Sequence, residues 1–144
     1  MKLIKILLLF SIIGSLVASN NGEYYTFENK DEAEQEIGDF HTPSMPKKYI
    51  IKKITYDNDG FTHPITKVFY QKGSHKITFM IGSSWFDNSP KQKVDTDKIN
   101  DIVWISKEKE YVLKWRNSDK KSYKYLFTRD EGDKVWLISI AENY

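Results

Sequence analysis

The chain has 144 residues, 22 basic and 20 acidic side chains, 15% aromatic residues and no cysteine. That length suits a single domain with a real core, and the composition excludes a disordered chain and a disulfide-stapled one. The two lysines among the first twenty residues account for the whole formal excess of +2, so the remainder is neutral, which excludes the basic face a nucleic-acid binder needs.

Residues 1–19 (MKLIKILLLFSIIGSLVAS) read as a signal peptide. Lys2 and Lys5 form its positive end, Ile6 to Val17 its apolar run, and Val17-Ala18-Ser19 its small-residue cleavage site. The absence of a following cysteine excludes a lipid anchor. The apolar run is short against the roughly 20 residues of a membrane span, so an uncleaved signal is the only expected membrane attachment. Residues 20–144 are then one exported domain, secreted or associated with the cell envelope.

Asn20 to Tyr25 reads as a loose leader. Asn29 with Glu32 has capping-box spacing, Ala33 and Ile37 share a face, and Gly38 supplies a stop, which predicts a two-turn helix over 30–37. Pro43 and Pro46 enforce an extended connector. A period of two then predicts strands over 49–56, 65–71 and 75–82, the last two forming a hairpin turned at Lys72-Gly73-Ser74.

Further strands are expected over 92–99, 102–106, 110–116 and 122–128, with a turn over 117–120. Tyr123, Tyr125 and Phe127 alternate with Lys124, Leu126 and Thr128, the pattern of an antiparallel sheet with one wet face. The tail fits either a last strand (VWLISI) or a helix capped by Asp133 with Trp136 and Ile140 on one side. The fold class is α+β: a twisted antiparallel sheet of five to seven strands, with a short N-terminal helix and a C-terminal helix packed on it.

The residues DEAEQEIGDFHTPSMPKKYIIKKI (31–54), the hairpin VFYQKGSHKITFMIG, the strand YVLKW (111–115) and the Ile-Ala-Glu-Asn tail follow an order that resembles domain-of-unknown-function family 4367. The likeness covers about residues 27–143. It departs where the family has Gly, at Asp101 and after the Trp strand. The resemblance implies an extracytoplasmic domain of Gram-positive secreted or membrane-anchored proteins, and a helical tail over 133–142. The family has no agreed activity, so it implies no catalytic residue.

The residues themselves offer little chemistry. His41, His63 and His75 fit no metal-ligand spacing and read as unrelated surface imidazoles. No G-x-S-x-G elbow surrounds any serine. Asp95 and Asp97 read as solubilising charge on an edge strand, and the pairs Glu108/Glu110 and Asp130/Glu131 lack further ligands at loop spacing. No catalytic residue, metal or cofactor is expected.

The candidate partner-binding residues are Trp85 and Phe86, in a Pro-bounded loop that either anchors a partner or lids the core, and Lys114, Arg116 and Lys124, on strand faces interleaved with aromatics. They suit a protein or an anionic envelope polymer. The expected function is a non-enzymatic interaction or sensory module of the bacterial cell envelope. The alternatives are an immunity or inhibitor protein against a secreted enzyme, and a small envelope hydrolase using His41 or His75 with nearby acids. Neither the partner nor the oligomeric state follows from the sequence.

Overall fold

The computed structural model describes residues 22–116 and 122–144. The signal segment 1–19 and the turn over 117–120 lie outside the described residues. No helix among the described residues is long and apolar enough to cross a membrane.

The first element among the described residues is a strand, β1 (Glu23–Phe27), followed by helix α1 (Lys30–Ile37). Asn29 accepts from the Glu32 amide at 2.9 Å, and the Glu32 carboxylate reaches back to the Glu28 amide at 3.2 Å. Gly38 closes the helix at φ 83, a backbone angle that an L side chain resists, while its own amide bonds the Glu34 carbonyl.

Strands β2 (Ile50–Asn58), β3 (Ile65–Lys72) and β4 (His75–Gly82) continue as a meander, then β5 (Lys91–Lys93), β6 (Ile102–Lys107), β7 (Glu110–Arg116) and β8 (Tyr123–Thr128). A single 3-10 turn, Glu131–Asp133, leads into helix α2 (Lys134–Glu142). The tail is therefore helical.

All eight strands form one antiparallel sheet in the order β1-β2-β3-β4-β8-β7-β6-β5. The expectation of five to seven strands falls short by β1, which begins inside the expected leader: its five residues alternate too briefly to declare themselves, yet each pairs with β2 from Glu23↔Asn58 to Phe27↔Ile54. The short helix is consequently not the N-terminal element but an insertion between β1 and β2. Two meanders meet where β4 pairs with β8, from Thr78↔Phe127 to Gly82↔Tyr123.

Both helices cover the same sheet face. Ala33 of α1, with Leu137 and Ala141 of α2, joins a core that includes Ile54, Val68, Phe79, Leu113, Trp115 and Leu126. Burial of this apolar surface is the main stabilising term, at roughly 25 cal/mol per Å². The opposite face holds a second, smaller cluster of Met80, Ile105, Val112 and Tyr125, which no helix covers.

Candidate functional site

On the helix-free face, a loop takes over part of the covering. Residues 83–90 fold back across Tyr125, whose hydroxyl donates to the Ser83 carbonyl at 2.6 Å and accepts from the Trp85 amide at 2.8 Å. Phe86, at φ 64, drops its ring edge-on against Tyr125 and Phe127. Trp85 stays 45% exposed, with its indole N–H on Ser83 Oγ. Phe86 thus lids the small cluster, and Trp85 faces solvent.

Lys114 holds this loop down. Expected on a wet face, it is only 5% exposed. Its ammonium donates to Ser84 Oγ at 2.8 Å, the Trp85 carbonyl at 2.9 Å and Asp87 Oδ1 at 3.2 Å, and lies 4.4 Å from the Tyr123 ring centroid. A buried ammonium is tolerated only with such a set of oxygens and ring faces. Arg116 continues the row, pairing with Asp101 at 3.2 Å and lying over Tyr123 at 5.1 Å.

Lys124 is a second correction to the wet-face reading. It is also 5% exposed, on the helix-covered side, opposite Trp115 in the register, and reaches Ser122 Oγ at 3.1 Å. Trp85, Phe86, Lys114 and Arg116 therefore form one patch, and Lys124 lies across the sheet from it. Asp95 and Asp97 are exposed beyond the three-residue edge strand rather than on it.

Burial pushes the Tyr125 phenol up to about 12, against the lowering effect of the Trp85 amide bond, and burial likewise raises Tyr70 to about 12. A phenol raised this way stabilises the fold fully below the ordinary value of 10.0 and loses that contribution as pH climbs through the raised value. A spectrophotometric alkaline titration is expected to show Tyr70 and Tyr125 as the last tyrosines to ionise, with Tyr125→Phe removing one of that pair. Ordinary titration of every tyrosine would contradict the loop packing.

Beyond the loop, the same face opens into a groove of about 990 Å³. Phe69 and Phe127 lie in it, and Lys52, Lys53, Lys76 and Arg129 line it. The ladder slips between Ile51 and Lys53, a bulge that re-aims neighbouring side chains and lets both Lys52 and Lys53 line the groove. Lys53 sits 4.7 Å from the Phe69 ring centroid. Glu110, Asp130 and Glu131 add an acidic portion, with Glu110 at 4.0 Å from Arg129.

His75, at the start of β4, lines both this groove and a recess of about 360 Å³ formed with Pro46, Tyr49, Lys72, Asp133 and Trp136. It is not an isolated surface imidazole. Its Nε2 lies 2.8 Å from Asp133 Oδ2, which also accepts from Thr128 Oγ1, while Asp133 Oδ1 accepts from Trp136 Nε1 at 2.9 Å. Asp133 is 6% exposed. One carboxylate thereby ties β4, β8 and α2 together. Sequence reasoning missed this because His75 and Asp133 are remote in the chain, and only the 3-10 turn after β8 returns Asp133 to the start of β4. His41 instead meets the Tyr144 ring edge-on, and His63 is exposed in the β2–β3 connection.

No protein-family model, no curated protein and no solved structure matches this chain.

Proposed function

We propose that the chain is an exported, non-enzymatic interaction module of the bacterial cell envelope, and that its helix-free sheet face grips a protein partner through acidic and apolar side chains. The observation that carries this is the groove: an aromatic floor rimmed by Lys52, Lys53, Lys76 and Arg129. Apolar centre and charged rim is the anatomy of a protein interface, and the lysine-rich side calls for carboxylates. The segment 1–19 and the resemblance to family 4367 support the extracytoplasmic setting. N-terminal analysis of the exported protein tests cleavage after Ser19.

A glutamate–tyrosine copolymer offers both kinds of side chain and serves as the probe. Amide NMR on the full chain is expected to show saturable shifts at Lys53, Phe69, Lys76 and Phe127, weakening with salt. Exposed charge pairs contribute about 0.2–1 kcal/mol each, so Lys53→Glu with Lys76→Glu should lower affinity roughly tenfold. Absent or scattered shifts would refute the reading. Tighter saturation of the same face by polygalacturonate would assign it to an anionic polymer instead.

A further inference from the structure

We propose that His75, Asp130 and Asp133 form a binding site for a divalent transition-metal ion of the zinc and cobalt class. One ligand atom from each of the three residues lies within 4.8 Å of the others, the one such grouping among the described residues. Metal bonds of 2.0–2.2 Å in tetrahedral geometry place ligand atoms about 3.4 Å apart. His75 Nε2 and Asp133 Oδ2, at 2.8 Å, need only spread by a fraction of an ångström. Asp130 is exposed and completes the set by a side-chain adjustment of about 1 Å.

The surroundings favour a cation. Asp133 is buried and its oxygens accept from His75, Thr128 and Trp136, with no Lys or Arg among those donors. Lys72, the one Lys or Arg on the recess lining, is turned over the Tyr49 ring at 5.6 Å from its centroid.

Thr128 and Trp136 already hold the Asp133 carboxylate, the orienting role that outer partners play around metal ligands. One nitrogen and two oxygens suit an ion between the hard and soft extremes, and the recess leaves space for water in the fourth position. On binding, a neutral His75 moves its proton to Nδ1, and the ion replaces the hydrogen bond between Nε2 and Oδ2.

The test titrates Zn²⁺ and Co²⁺ separately into the full chain, by calorimetry and by the visible absorption of tetrahedral Co²⁺. One ion per chain is expected. His75→Ala should weaken it about 100-fold or more, and Trp136→Phe, which leaves the ligands in place, about tenfold. Asp130→Asn keeps an acceptor for the Gly132 amide at the turn, so it retains the fold and should still weaken binding about tenfold. Circular dichroism checks that each variant is folded. No bound ion, an ion unaffected by His75→Ala and Asp130→Asn, or an ion lost with His41 or His63 would overturn the site. None of these results depends on copolymer binding in the groove.

Discussion

Replacing Lys114 by Met is expected to release residues 83–90 from the sheet and to cost about 2 kcal/mol. The stem survives, so the loss isolates the ammonium and its three acceptors on Ser84, Trp85 and Asp87. Charge-assisted bonds contribute about 1.5–3 kcal/mol each in mutational series. The sum is offset because Met carries no charge to desolvate and the freed loop oxygens turn to water. Hydrogen exchange should quicken at amides 84–89, and the Trp85 amide should lose its bond to Tyr125. Lys114→Arg should not restore it, since a planar fork cannot copy three divergent bonds from a point charge. Unchanged exchange and an unchanged urea midpoint would remove the clamp.

Asp87 gives the same clamp a pH limit. Hydrogen bonds from Ser84 and then Lys114 hold its carboxyl below the ordinary 3.8. A depressed carboxylate stabilises above its unfolded value and loses that contribution as pH falls through the folded one. Loop exchange should therefore stay slow through the ordinary carboxylate range and quicken only below it.

Trp115→Ala should be the most damaging substitution, at about 3–5 kcal/mol, a large share of the 5–15 kcal/mol typical of a domain. The ring is fully buried, 6.3 Å from Phe79 and 5.8 Å from Tyr144 between centroids. Among the described residues its indole N–H has no acceptor. A buried orphan donor costs about 1–3 kcal/mol, which Trp115→Phe removes while keeping an aromatic ring. That variant should fall within about 1.5 kcal/mol of the native chain. Urea unfolding checks both values: each variant removes the N–H and they differ in the cavity left, so a Trp115→Phe loss as large as that of Trp115→Ala would show that relieving the N–H offsets nothing.

The fold was legible where periodicity ran long enough. The alternation in Ile65–Lys72, His75–Gly82, Glu110–Arg116 and Tyr123–Thr128 marked four strands, and Asn29 to Gly38 marked α1. What failed was the assignment of wetness. Alternation tells which residues share a face, not whether the other face is covered. Lys114 is buried because a loop between β4 and β5 folds over it, and Lys124 because it shares a face with Trp115. Lysine so seldom goes fully inside that nothing local to either residue signalled it. The candidate site was less legible still. Trp85 stood out as an exposed aromatic, whereas the groove draws its lining from distant strands, and the His75–Asp133 contact depends on how a 3-10 turn returns to β4.

The placement of β8 between β4 and β7 has a consequence for the order of events during synthesis. The first meander emerges early and can form from local contacts, but it leaves the edge of β4 bare. The strand that satisfies that edge is the last of the sheet's strands in chain order and follows β7. Pairings so far apart in sequence form slowly, and a partly made chain with an open edge is vulnerable to mispairing. The sheet therefore closes at its centre, and closes last, so the nascent sheet stays unfinished and threadable until β8 has left the ribosome.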